Sequence, residues 1–343
     1  MGRSTSYRVG ICFVTGDTIN GPLHSNDTLS INGSPWFSGK ATTAYTGAMS
    51  CSESTTYTWR WYGLAGRGDT PQFQSGDPEA VPILTLPTTN TAIKTETDRA
   101  AGKTGCLYNG PTRIVLNSSG TMTVTSPFTT SSTYAPCVGT NVALPTNGVI
   151  YVQNAPSTQT ATCTGSQNRL GYPISGDVTD YGCRDGDAFV SGTLRGRLTI
   201  AAENNIVVVG NTTYQTTGAA STDMLGLVAN QFVQVYHPVN SSGTNLASFT
   251  NPQIHAAMLA LGHSFIVQNY DEGAQLGTIT INGVIAQKWR GPVGTSGGTG
   301  YLKSYGYDTR LQYASPPYVQ DITETPYRPS QWAEIQDPSG LPA

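Results

Sequence analysis

The sequence predicts an all-β fold: a right-handed parallel β-helix (β-solenoid) with a lateral insertion and a wrapping C-terminal tail. Three observations carry this. Ser and Thr together make up more than a fifth of the 343 residues, and Tyr (18) far outnumbers Phe (8). Thr and Tyr suit half-buried pleated surfaces. Gly (39) and Pro (21) punctuate the chain into short apolar beats separated by tight turns. Charged residues reach only 11%, against roughly 25% in an ordinary soluble domain. The 37% hydrophobic content and net charge of −3 are the reverse of a disordered chain, which combines low hydrophobicity with high net charge. No basic run or stripe offers itself to nucleic acid, and no apolar run approaches the roughly 18 residues of a membrane span.

Taken in order, residues 7–39 alternate strand and turn signals. Ile19, Leu23, Leu29 and Ile31 are short apolar beats between Asn-Gly, Gly-Pro and Asn-Asp turns, the texture of a solenoid rung. Residues 40–105 lose that beat and are expected as an insertion on the side of the solenoid, with a short helix within the charged stretch 91–103. The beat returns at 112–117, 121–125 and 148–153, separated by long polar loops. From residue 186 it is clearest. Four segments opening at Asn204, Asn230, His263 and Asn282 share one shape, with first apolar positions at Ile206, Phe232, Phe265 and Val284. Stacking such units buries a core that none could bury alone. Residues 254–262 fit either a short helix or a strand buried on both faces, and the strand is preferred. The Tyr-rich, Pro-interrupted stretch from about 300 to 343 reads as a tail wrapped over the solenoid. The whole chain, 1–343, is one elongated domain.

Six cysteines, Cys12, Cys51, Cys106, Cys137, Cys163 and Cys183, lack metal-ligand spacing. Their even number in such a chain points to disulfides and an oxidising compartment. Six allow fifteen pairings, of which the sequential one is the simplest: Cys12 with Cys51, Cys106 with Cys137, Cys163 with Cys183. No secretion signal is visible, because the opening residues lead directly into a strand-like run. The start is therefore expected to lack an export segment that the full gene supplies.

The segments 16–29, 105–112, 225–230, 236–239, 287–295 and 300–311 resemble a large exported protein family of actinobacteria with no known activity. Residues 225–295 are also similar to a β-helical domain of type IV pilus-associated, minor-pilin-like proteins. The resemblance implies export and a β-helical fold, and supplies no catalytic residues.

Candidate chemistry is sparse. His24 and Asp27 flank one turn and would be the acid/base pair if the chain were an enzyme, although Asn26 and Asp27 also suit a turn cap. Asp180, Asp185 and Asp187 could offer oxygen ligands, but no calcium-loop spacing is present. His237, His255 and His263 have no partner that would complete a metal site, so no metal or cofactor is expected. The richest contact surface is the tail, with Tyr301, Tyr305, Tyr307, Arg310 and Tyr313. These features predict an extracellular structural or adhesive protein, associated with pili or the cell envelope. Pilus subunits or surface glycans are its expected partners, and any membrane attachment would run through an anchor absent from this chain. The alternative is a β-helix polysaccharide lyase or glycoside hydrolase.

Overall fold

The computed structural model describes residues 11–45, 57–60, 63–66, 69–129, 137–157, 168–247, 249–295 and 297–319. Strands dominate. Among the described residues, helix is confined to Thr91–Thr95, within the stretch expected to hold one, and to two short 3-10 turns, Arg99–Ala101 and Thr309–Gln312. The chain is all-β.

The strands stack in parallel ladders. The longest runs, in spatial order, Cys106–Asn109, Val149–Gln153, Arg197–Ala202, Met224–Ala229, Gln253–Ala260, Thr278–Gln287, Leu302–Tyr307, Thr18–Asn20, Trp36–Phe37, Gln72–Phe73. A second ladder stacks Thr112–Asn117, Ala188–Leu194, Ile206–Tyr214, Val233–Val235 and Phe265–Val267. A third joins Leu23–Ser25, Ala41–Thr43 and Glu79–Ala80. The chain passes from the first ladder to the second through corners that keep the same register. The backbone N–H of Gln231 donates to the carbonyl of Asn204 at 3.0 Å, and that of Gly262 to Asn230 at 2.8 Å. Corner side chains satisfy the remaining donors: Asn205 Oδ1 accepts from Phe232 N, and Asn154 Oδ1 from Gly186 N. Polar groups left unpaired there would carry a desolvation cost, so Asn and Asp at corners are the expected chemistry.

Equivalent inward positions stack into columns. Ile150, Ile200, Leu227 and Met258 face one another down the first ladder. Ile114, Val190, Val208, Val235 and Val267 do so down the second. All belong to one buried core. The outer side of the first ladder is also apolar at Val149, Tyr151, Ala201, Val228 and Leu259, with Ile93 and Val319 packed on it. Phe189 and Val207, on the second ladder, lie under Tyr172, Tyr181 and Tyr236. Strands covered on both sides read as continuous apolar runs, which is why 254–262 was ambiguous between helix and strand. The structure makes Gln253–Ala260 a strand buried at nearly every position.

Four details differ from the sequence reading. The repeat register shifts: Ile206 pairs with Val233, which pairs with Phe265. Phe232 is a corner residue whose ring stacks on His263, and Val284 belongs to the first ladder opposite Ala257. Within 40–105, the strands Ala41–Thr43, Gln72–Phe73 and Glu79–Ala80 continue the ladders, while 90–97 lies along the first ladder's side. Asn90 Nδ2 donates to the carbonyls of Ala202 and Val228. The tail begins later than 300, since Leu302–Tyr307 is an interior strand of the first ladder. Residues 315–319 then run back across the ladder, where Thr199 Oγ1 donates to the carbonyl of Pro317.

Cys106 and Cys137 form the expected disulfide, their Cα atoms 5.9 Å apart. Cys183 is also disulfide-bonded. Cys51 and Cys163, the expected partners of Cys12 and Cys183, lie outside the described residues. Among the described residues, no helix is long and apolar enough to cross a membrane.

Candidate functional site

Where the N-terminal strands join the end of the first ladder, side chains alternate strictly in and out, as a pleated strand requires. The inward row is Ile254, Ile281, Tyr305, Ile19, Phe37 and Phe73, one residue per strand. The Phe37 and Phe73 rings stack at 4.8 Å. The outward row, in the same register, is Gln253, Thr280, Ser304, Thr18, Trp36 and Gln72. Trp36 is 36% exposed. Beside this row, Thr278, Leu302, Asn282, Gly306 and Asn20 extend the same outward face. None of these eleven residues is ionisable; His255, opposite Asn282 on the same parity, is the neighbour that is. Two basic groups beside this face turn inward: Lys303 Nζ donates to both Asp17 carboxylate oxygens at 2.9 Å, and the Arg290 guanidinium lies 3.5 Å from the Phe13 ring centroid, while Lys40 pairs with Glu79. The side chains of Thr18, Ser304, Thr280, Gln253 and Asn282 make no hydrogen bond to any described residue, so their donors and acceptors face outward unspent.

A cleft of about 180 Å³ borders this face, lined by Tyr214, Asn282, Tyr307, Asp308 and Arg310 together with 217–219. Its charges are mutually satisfied. Arg310 grips Asp308 through Nε and Nη2 at 2.9 and 2.6 Å, and its Nη1 donates to the carbonyls of Ser221 and Asp223. Burial pushes the Asp308 carboxyl up, but the Arg310 hydrogen bonds and charge more than reverse this and hold it below its usual range. Asp223 behaves alike: burial is outweighed by hydrogen bonds from Thr216 and Gly196. His255 Nδ1 accepts from Tyr214 N at 3.3 Å, and burial lowers its pKa below the ordinary histidine value. The two carboxylates are thus favoured in their ionised form and the histidine in its neutral form.

The residues singled out in the sequence disperse. His24 bonds through its ring nitrogens to Thr42 Oγ1 and Asn26 Oδ1, while Asp27 Oδ1 accepts from Thr28 N. Asn26 in turn bridges to the backbone of Leu84 in both directions. This is a strapped corner. Tyr301 is buried, its hydroxyl donating to the carbonyl of Phe249, and Tyr305 points into the core. Tyr307 and Arg310 line the cleft, and Tyr313 stands exposed apart from it. Asp187 is buried, its Oδ1 accepting from the backbone and side chain of Asn205. His237 is buried between the Gln268 carbonyl and Asn245. No group of three or more potential metal ligands converges among the described residues.

The outward row was missed by sequence reasoning, although a signal existed. The tripeptide Thr-Ile-Asn occurs at 18–20 and again at 280–282, and both copies pair with Ser304-Tyr305-Gly306. Compared with protein-family models, with curated proteins and with solved structures, this chain finds no match.

Proposed function

We propose that this chain is an extracellular structural or adhesive protein of the pilus or cell envelope, built as a right-handed parallel β-helix and binding through its uncharged outward face. Three regular parallel ladders, corners that hold register and Asn side chains capping those corners support the β-helix. Its right-handedness follows from the near-universal hand of parallel crossover connections. The disulfide between Cys106 and Cys137 supports an oxidising, extracellular setting.

The observation that carries the binding reading is the run of unspent hydroxyls and an amide on four adjacent strands, Gln253, Thr280, Ser304 and Thr18, continued by Trp36, beside a cleft whose charges neutralise one another. A surface of this kind holds a ligand by many weak contacts and offers no proton-transfer pair to cleave it. The test is a panel of polysaccharides scored separately for retention and for turnover. Retention without turnover is the expected result. Turnover lost in His24→Ala or Asp27→Ala would establish the lyase or hydrolase alternative instead.

A further inference from the structure

Resting on that binding reading, we propose that the occupant of the outward face is an uncharged, stiff, linear polysaccharide of the β-1,4-linked glucan type, laid across the strands from Gln253 to Trp36.

Charge selects against other polymers. The row carries no ionisable group; on its flank His255, opposite Asn282, has its pKa lowered by burial, and Lys303 is committed to Asp17. An acidic polysaccharide or a nucleic acid would lose hydration here and gain no counter-charge, although phosphate contacts dominate nucleic-acid affinity. A peptide would ordinarily add to a sheet through backbone groups at an edge. Here the strands lie inside the ladder, with their backbone groups paired to both sides.

The available groups match sugar hydroxyls. Each Thr or Ser hydroxyl both donates and accepts, and each amide offers one of each kind of site; a sugar hydroxyl has the same dual character. Neighbouring strands stand about 4.8 Å apart, so the row presents a new polar group at that interval over roughly 14 Å from Gln253 to Thr18, and the next step, to Trp36, takes it to roughly 19 Å. That suits an extended chain that repeats as regularly as the surface does. A stiff chain also loses little conformational freedom on binding, which lowers the entropic cost of holding it by scattered weak contacts. Trp36, between Thr18 and Gln72 in the row, supplies a broad apolar ring on which the C–H face of a pyranose can pack. At the other side, Asn282 opens the row into the cleft, and Gly306 beside it carries no side chain to block the way.

The experiment is affinity electrophoresis of the whole chain through gels containing hydroxyethyl cellulose or carboxymethyl cellulose, which share a backbone and differ in charge. Titration with cellohexaose, followed by Trp fluorescence, accompanies it. Retardation by the neutral polymer is expected, with weaker retardation by the acidic one. Trp36→Ala should lower affinity by about tenfold or more, a change of at least ~1.4 kcal/mol, and Thr280→Val with Ser304→Ala should weaken it further. Far-ultraviolet circular dichroism and the thermal midpoint confirm that each variant is folded. Trp36→Phe, which keeps a ring at this position, should recover part of the loss even if Trp36→Ala is poorly folded. No retardation of the folded wild type by the neutral polymer, stronger retardation by the acidic one, or equal retardation of wild type and all variants would overturn the proposal. Cleavage of cellohexaose would overturn the non-catalytic reading while leaving the site in place. Retention on a different envelope polymer alone would sink this inference and spare the wider one.

Discussion

Asp187 sits at the corner entering the second ladder with 1% of its surface exposed. Burial pushes its carboxyl up to about 7, despite hydrogen bonds from Asn205 that act the other way. In the unfolded chain it titrates near its ordinary value of about 3.9. Below that pH both states hold the proton and stability is unaffected. Between there and about 7 the unfolded chain ionises first, so stability falls. Above about 7 the whole penalty is present, on the order of a few kcal/mol. Asp187→Asn keeps an oxygen for the two Asn205 donors and removes the ionisation. Its stability relative to wild type should therefore rise from pH 5 to pH 8, read as the difference in urea midpoints; a constant difference would contradict this. In the sequence, Asp185-Gly186 reads as a turn signal. The depth of Asp187 was not legible there, because the residues that bury it come from other strands. The tyrosines of 301–313 teach the same point: alternation along Leu302–Tyr307 sends Tyr305 in and leaves Gly306 out, and only the strand assignment reveals which parity applies.

At the scale of elements, two attachments hold the ladder's additions in place. The strand Thr18–Asn20 docks on Leu302–Tyr307, and beside that seam Lys303 meets Asp17, whose side chains are only 11% and 2% exposed. Burial lowers the Lys303 pKa, and the adjacent Asp17 carboxylate opposes that shift. Lys303→Met would leave the buried Asp17 carboxylate only the more distant Arg290 guanidinium, 3.9 Å away, so the loss should approach but not reach the ~3–5 kcal/mol of a fully broken buried pair. Adding Asp17→Asn should restore part of it, because the Val14 N–H keeps its acceptor. Urea denaturation of the single and double variants checks this, and equal losses in both would refute the pairing argument. The second attachment is the strap at 315–319. A Cβ at Gly226 would stand 2.8 Å from Val319 Cγ2 and 3.0 Å from Pro316 Cβ. Gly226→Leu should therefore lift the strap, so that amides 311–319 exchange faster while 225–229 stay protected. Strands were legible here wherever β-branched and aromatic runs met Gly or Asn. Among the shortest strands, the beats at Ile19, Leu23 and Ile31 marked Thr18–Asn20, Leu23–Ser25 and Ile31–Asn32, while Trp36–Phe37 went unmarked because so short a run has no periodicity to detect.

For the molecule as a whole, the all-β class was readable from composition and from the beat of apolar runs, but the stacking order was not. Periodicity says that strands pair; it does not say that residue 19 pairs with residue 305. That choice is made by column chemistry, in which Tyr305 packs against both the core that holds Ile281 and the separate cluster that holds Ile19 and Phe37. The far end of the same ladder is closed by the Cys106–Cys137 disulfide, with a sequence separation of 31. A loop of that size should contribute ~3–4 kcal/mol. Cys106→Ala with Cys137→Ala should lower the unfolding free energy by that amount, measured by urea titration, and an unchanged midpoint would count against it.

The placement of Thr18–Asn20 beyond Leu302–Tyr307 inverts the order of making and the order of building. The strand Thr18–Asn20 lacks one of its two neighbours until the strand 302–307 exists, nearly 300 residues later in sequence. Contacts so distant in sequence form late, since the intervening chain must be ordered before they are rewarded. In pulsed hydrogen exchange during refolding, amides of 18–20 and 36–37 should gain protection after those of 224–229 and 253–260. Without the strand 302–307 the central strands would keep their pairings, while Ile19 would lose its neighbour Tyr305 and the Phe13, Phe37 and Phe73 rings would have only one another to pack on. A fault near residue 305 thus shows itself near residue 19.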